Sequence, residues 1–315
     1  MTFTDREQTA MKEQLGGFLS FNAPMRRHTS LSIGGPADIY AEPPTLAALE
    51  ACLKWMRTND VPITIIGGGT NLLVTDKGIR GAVITLKKLA SELTWMKDGK
   101  DEVKLTAGAG RSLHSVAHYA VSHGWKGLNF AIGIPGTLGG SIMMNAGTHN
   151  GSMGQVVDSL RVISPEGRIA TVAKDDLTFS YRQCHICTEG ASPYRPVIII
   201  DAILKLAPGD AAELKQEADL LLESRKKSQP IHLKSAGCFF KNPRSGKSAG
   251  ELIDLAGLKG TTMGGAMVSP LHANYLINTG EATARDMMAL KDHVKRIVMD
   301  QFGVDLEEEV KIIGE

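Results

Sequence analysis

The sequence predicts an α+β fold, with a larger first half and a smaller α/β second half, on three observations. Short β-branched runs alternate with amphipathic stretches up to residue 208. Two glycine-rich loops, Gly67–Asn71 and Gly133–Gly140, interrupt that first half. After Pro208-Gly209-Asp210 the pattern turns to longer helical spacing. At 315 residues the chain exceeds one ordinary hydrophobic core and can supply two or three modest ones.

Taken in order, residues 6–19 read as a helix, followed by an extended stretch that turns at Gly34-Gly35-Pro36. Residues 45–58 carry an apolar stripe of Leu46, Leu49, Leu53 and Trp55-Met56 at helical spacing. Val61–Ile66 is a β-branched strand that empties into Gly67-Gly68-Gly69-Thr70-Asn71, after which Leu72–Val74 resumes extended structure. Further strands are expected at 82–86 and 103–107, and Gly108–Gly110 leads into a helix over Ser112–His123. Strands at 156–163, 168–173 and 197–206 follow, with a hairpin turn at Pro165-Glu166-Gly167. Helices are expected at 211–227, 249–256 and 282–300. The closing run Leu306–Ile313 reads as a strand that returns to the first half.

A hydrophobic content of 43% with 22% charged residues fits a soluble globular protein. The net charge of +1 gives no electrostatic pull toward nucleic acid or a membrane surface. The charged opening MTFTDREQTAMKEQLGGFLS argues against a secretory leader, no apolar run is long enough to span a bilayer, and a cytoplasmic location is expected. Cys52, Cys184, Cys187 and Cys238 are too few for a disulfide framework. The lone Cys184-x-x-Cys187 has only His185 nearby, so no metal site is expected.

Three successive glycines after a strand let backbone N–H groups converge on an anion without Cβ crowding. Gly67–Asn71 could cradle a pyrophosphate in this way, and Gly133–Gly140 could form the facing half; a pair of tight turns is the plainer reading. A Rossmann site fits poorly. Gly67-Gly68-Gly69 leads into a strand rather than a helix, while Gly108-Ala109-Gly110 lacks the third glycine and an acid near residue 130.

In Ser235-Ala236-Gly237-Cys238-Phe239-Phe240-Lys241-Asn242-Pro243, small residues lead to a thiol that could act as acid or nucleophile. A buried structural cysteine is the commoner fate. Arg182 could clamp a carboxylate through its planar fork, or simply pair with Asp175 or Asp176. In a strand, Glu307 and Glu309 would share one face and Glu308 the other.

Six stretches in one order resemble a single family: His28–Asp38, Gly67–Leu72, Gly133–Gly147, Tyr181-Arg182, Ser235–Pro243 and Leu306–Ile313. They resemble the UDP-N-acetylenolpyruvoylglucosamine reductases, cell-wall flavoenzymes that form UDP-N-acetylmuramate for peptidoglycan. The resemblance runs from residue 27 to the C-terminus. It implies FAD bound in a vanillyl-alcohol-oxidase/p-cresol-methylhydroxylase-type fold of two subdomains, plus a smaller α/β substrate-binding domain. The FAD-binding region would be 1–208, split into 1–86 and 87–208, with 301–315 returning to it as a strand; 209–300 would bind substrate. The length matches the family's short form. NADPH would reduce FAD and leave, and UDP-N-acetylglucosamine enolpyruvate would then be reduced. A monomer or weak oligomer is expected, with no nucleic-acid or membrane partner.

By matching positions, Arg182 and Glu309 would stabilise the enol-like intermediate and Cys238, where many members have serine, would protonate it. FAD would meet Gly67, Gly68, Gly69, Thr70, Asn71 and Leu72 around its pyrophosphate. Gly133, Ile134, Pro135, Gly136, Gly139 and Gly140 would line its adenosine and isoalloxazine side with Asn145, Ala146 and Gly147. Arg225 would contact flavin or phosphate. Tyr181, Lys227, Asn242 and His272 would bind the UDP-sugar. The alternatives are another FAD-dependent oxidoreductase of the same fold and a non-catalytic flavin- or nucleotide-binding regulator.

Overall fold

The computed structural model describes residues 3–89, 93–99, 101–187, 197–244 and 246–315. Its first sheet has the strand order Leu19–Pro24, Pro36–Ala41, Ile79–Thr85, Ile63–Ile66. The first pair is antiparallel and the other two junctions are parallel. A parallel junction needs a crossover, and the helix Leu46–Thr58 supplies it. That helix buries Leu49, Cys52, Leu53 and Met56, one apolar face at the expected spacing, and Thr45 caps it by accepting from the Ala48 N–H at 3.1 Å. Behind it, buried Asp38 accepts from the Gly81 N–H at 2.9 Å and pairs with Arg80 at 2.6 Å.

The second sheet is antiparallel, in the order Ile169–Ala173, Val157–Ile163, Ile198–Pro208, Val103–Gly108, Thr94–Lys97. Its hairpin closes at Gly167, whose φ of 86° no β-branched residue would adopt cheaply. Helices Leu113–Ser122 and Ala211–Ser228 pack beside it, and buried Asn129 ties the second of these down through Glu217, 2.6 Å away. One continuous apolar cluster joins the helix Leu46–Thr58 to both sheets.

The second half holds a four-stranded antiparallel sheet, Lys234–Ser235, Leu276–Asn278, Ala266–Val268, Thr262–Met263. Against it lies the helix Ala284–Phe302, burying Met287, Leu290, Val294 and Val298. Thr283 and Asp286 form a capping box at its start, and left-handed Gly303 ends it. Leu31, Ile33 and Leu73 from the first half join this second core. Two polar contacts reinforce the junction. Asn278 donates to the Leu31 carbonyl at 2.9 Å, and the Asp76 carboxylate accepts from the Ala284 and Arg285 N–H groups at 2.8 and 3.0 Å.

Three sequence expectations need correction. The helix Ala211–Ser228 packs on the first core through Leu214 and Ala218, so the second half starts after it and not at 209. The first helix covers only Asp5–Leu15, because Gly16 takes a φ of 115° and Leu19 already starts a strand. The closing run is not one strand, and its reach back does not begin at 301, where the helix Ala284–Phe302 still continues. Residues 307–309 lie beside Phe239–Lys241 through a single bridge, Phe240 with Glu308. Only Lys311–Ile313 then pairs, in parallel, with Leu72–Val74. No helix among the described residues is long and apolar enough to cross a membrane.

Because Asp76 caps the second half's long helix from the first half, Asp76→Ala is expected to lower unfolding stability by about 1–2 kcal/mol. Urea denaturation of the folded protein checks this; a change within error would show the cap to be redundant with Thr283.

Candidate active site

The two glycine loops meet backbone to backbone. A Cβ on Gly68 would stand 2.8 Å from the Gly136 Cα, and one on Gly67 would stand 2.4 Å from the Thr137 Oγ1. Gly69 has a φ of 70°, and its Cβ would fall 1.9 Å from the His28 carbonyl oxygen. Thr70 donates weakly across to the Pro135 carbonyl at 3.4 Å. No backbone carbonyl among the described residues accepts from the N–H groups of Gly68, Gly69, Thr70 or Asn71. Such a row of uncommitted donors suits an anion.

The remaining glycines serve different ends. Gly139 packs against Ala109, where a Cβ would come within 2.8 Å of the Ala109 Cβ, and Gly140 lies over Thr137. Gly133 lets the Arg225 side chain lie across it, with only 2.9 Å from the ideal Cβ position to the Arg225 Cδ. Gly147 closes against the Gly151 carbonyl. Ile134 packs on the first core, as does Ala146. Asn145, at a φ of 40°, donates to the Ser180 carbonyl at 2.9 Å and accepts from the Gly154 N–H at 2.9 Å, so it braces the hairpin that carries Arg182.

That hairpin, Leu177–Ser180 with Gln183–Ile186, has Tyr181 and Arg182 as its two-residue turn. Arg182 takes a left-handed φ of 58°, rare for a side chain of its size. Its Nε contacts the Glu309 Oε1 at 2.7 Å, and its guanidinium lies 4.9 Å from the Tyr181 ring centre. Asp175 and Asp176 are therefore not the partners the structure gives it. Lys241 stands near both Glu307 and Glu309, whereas Glu308 turns to Lys295 and Lys291, so the alternation expected of the three acids holds even without a regular strand. Asn71 donates to the Glu309 carbonyl at 3.1 Å, and its own carbonyl accepts from Lys311 at 3.0 Å.

Two clefts open here. One of about 450 Å³ is lined by Asn145, Gly147, His149, Tyr181, Arg182 and Asn242, among others. A second of about 300 Å³ is lined by Cys238, Asn242, His272 and Asn274, with Glu251 and Lys259 farther along. Asn242 belongs to both. Its N–H reaches the Tyr181 hydroxyl at 3.4 Å, and its side-chain oxygen accepts from the Ala249 N–H at 3.1 Å.

Burial pushes the Cys238 thiol up to about 11; Glu309 adds to the rise and the Arg182 and Arg225 guanidinium groups oppose it. Burial likewise raises the Glu309 carboxyl above its usual range, against the pull of Arg182. Arg225 is lowered by its desolvation, although Tyr275 and Cys238 favour its charged form. Arg182, Arg225, Cys238 and Glu309 thus share one electrostatic neighbourhood. Tyr275 belongs to it too, a residue that sequence reasoning missed because nothing in Leu271–Asn278 marks it apart from a buried strand residue. Lys227 does not join the group. It is exposed, beside Glu223, and lines neither cleft.

Comparison with known proteins identifies this arrangement. The family model "UDP-N-acetylenolpyruvoylglucosamine reductase, C-terminal domain" matches residues 229–313. A reductase of that name from Desulfosudis oleivorans is 43% identical over 297 residues, 94% of this chain and 95% of its own length. The chain belongs to the UDP-N-acetylenolpyruvoylglucosamine reductase family.

The reductase from Caldanaerobacter subterraneus is 40% identical, covering 99% of this chain and 98% of its own. The crystal structure of the reductase from Thermus caldophilus superposes with a TM-score of 0.75 at 31% identity, over 94% of this chain and 98% of that one. The model "FAD binding domain" matches residues 37–173, a range that contains both glycine loops. The protein is therefore an FAD-dependent oxidoreductase of the α+β class expected from its sequence. The free N–H row of Gly68–Asn71 fits the pyrophosphate of FAD, whose charge needs donors rather than side-chain bulk.

In this reductase, Gly69→Ala would force a Cβ against the His28 carbonyl in left-handed backbone. A roughly five- to thirtyfold loss of FAD affinity is expected, from a strain of roughly 1–2 kcal/mol. The ratio of flavin to protein absorbance after dialysis measures it, and full flavin retention would refute the cradle.

Proposed function

We propose that the protein reduces UDP-N-acetylglucosamine enolpyruvate to UDP-N-acetylmuramate with NADPH as the reductant, as a cytoplasmic monomer or weak oligomer. The observation that carries this reading is the Arg182–Glu309 pair at 2.7 Å in the electrostatic neighbourhood of the Cys238 thiol. When bound, FAD supplies the hydride for the enolpyruvyl methylene carbon. Gly67–Leu72 would hold its pyrophosphate; Gly133–Gly136 and Arg225 would meet the rest, with Asn145 and Gly147 at the cleft shared with Arg182.

Arg182 binds the substrate carboxylate, and its charge stabilises the negative charge that develops on the carboxylate and the adjacent carbon. Glu309 holds that guanidinium in place from behind. The proton for the carbon comes from the Cys238 Sγ. An acid must carry its proton at neutral pH, and burial ensures this by raising the thiol well above ordinary values. The same two arginines that oppose the rise then stabilise the thiolate once the proton has left. Tyr181, Asn242 and His272 line the clefts from which the UDP-sugar is held. Lys227 would act only from the rim, on the phosphates.

Anaerobic stopped-flow absorbance tests the reading. NADPH should bleach the flavin, and UDP-N-acetylglucosamine enolpyruvate should restore its colour. Cys238→Ala is expected to slow the second step by about 10²–10⁴-fold, the usual worth of a positioned general acid, while the first proceeds. Equal slowing of both steps would refute the role. Arg182→Lys should slow the second step by roughly tenfold or more, since lysine cannot present the two-pronged donor.

A further inference from the structure

The hairpin that carries Arg182 is rooted in the first core through buried Leu177 and Cys184, whereas Ser180 and Tyr181 at its tip are exposed. The contacts that steady the tip converge on Gly154, in the short helix Met153–Val156. A Cβ on Gly154 would stand 2.7 Å from the Phe179 Cγ, so the hairpin's aromatic ring lies directly on the Gly154 backbone. Side chains hold both polar groups of this glycine. Its N–H donates to the Asn145 Oδ1 at 2.9 Å, and the Asn145 Nδ2 donates onward to the Ser180 carbonyl at 2.9 Å. Its carbonyl accepts from the Lys174 Nζ. The same ammonium stands 4.6 Å from the centre of the Phe179 ring. Lys174 therefore touches the hairpin's ring and the residue on which that ring rests.

We propose that Lys174 is a positioning residue for Arg182, clamping Phe179 onto Gly154 so that the Tyr181-Arg182 turn presents the guanidinium to Glu309 and to the substrate carboxylate. The proposal rests on Arg182 being the group that holds that carboxylate.

Arg182 requires such support. Its left-handed φ of 58° is kept by a residue other than glycine only where the surroundings over-determine it. The bond to Glu309 at 2.7 Å fixes the far end of the side chain, and the clamp fixes the backbone from which it springs. An ammonium suits the task because it can donate to a carbonyl while its charge is drawn to a ring face. Burial lowers the pKa of Lys174, and Cys184 and Asp158 oppose that fall. At the other end of the hairpin the Asp176 carbonyl accepts from the Cys187 N–H at 3.0 Å, so the turn Lys174–Asp176 moves with the strands it precedes. Neither Lys174 nor Gly154 lines the clefts that hold Arg182 and Cys238, so Lys174 acts through its neighbours.

The test compares Lys174→Met, which keeps the side chain's length but loses donor and charge, with Lys174→Arg, which keeps both. In anaerobic stopped flow with holoenzyme, Lys174→Met should slow flavin reoxidation by UDP-N-acetylglucosamine enolpyruvate about tenfold, because a displaced clamp misplaces the carboxylate. Flavin reduction by NADPH should stay within about twofold of wild type, and Lys174→Arg should restore most of the lost rate. Amide hydrogen exchange over 177–186, followed by mass spectrometry, should be roughly tenfold faster in Lys174→Met and near wild type in Lys174→Arg. Unchanged exchange in Lys174→Met overturns the proposal, as does equal slowing of the two half-reactions. Where Lys174→Met does not fold, Lys174→Gln, which removes the charge and shortens the reach, carries the same expectations. If Arg182→Lys reoxidises at the wild-type rate, the reading of Arg182 has failed, while the exchange measurement still decides whether Lys174 holds the hairpin.

Discussion

The site depends on how the segment 307–313 changes partners. Its first part lies against Phe239–Lys241 of the second half, with the Glu309 N–H donating to the Phe239 carbonyl at 2.8 Å. Its last part pairs with Leu72–Val74 of the first half. Glu309 sits at the changeover, so one carboxylate is positioned by both halves at once. Asn71 reads the same point from the glycine loop by binding the Glu309 carbonyl. Sliding either half past the other would move the Glu309 carboxylate off Arg182 and pull Leu31, Ile33 and Leu73 out of the second core.

The electrostatics follow from that crowding. Two guanidinium groups, a carboxylate, a thiol and a phenol share one partly desolvated space, and burial favours the neutral form of every one. The thiol and phenol meet that preference by staying protonated. Arg182 and Glu309 instead satisfy each other at 2.7 Å, and Arg225 lies across Gly133. Breaking the pair from one side would strand a partly buried charge, which costs more than the pair itself contributes.

Much of this was legible in the sequence because it is local. The stripe of the helix Leu46–Thr58 and the turn at Gly167 follow from period and backbone freedom alone. The glycine loops could be read as facing each other, though not that Gly139 serves helix packing. Gly16-Gly17 is a stop signal for the first helix, legible in the sequence, that a reading of 6–19 as one helix runs past. The separation of Lys227 from Arg225 was also readable, since two positions along a helix differ by about 200° of rotation. Tyr275 was not, because Arg225, Cys238 and Glu309 reach it from three separate parts of the chain. Likewise, period cannot show that a run of eight residues changes partner midway.

The pairing of Lys311–Ile313 with Leu72–Val74 also has a consequence for biogenesis. The Asn71–Glu309 contact closes a loop of 238 positions, so the ribosome must make nearly all of that sequence before the strand can dock. Until then the edge of Leu72–Val74 is open on the nascent chain. Long-range closures of this kind form late and slowly, and an unpaired edge is a place where emerging chains can associate wrongly. Assembly of the Arg182–Glu309 pair and the covering of that edge are therefore one event, and a chain stalled short of it would lack the pair and be prone to clump.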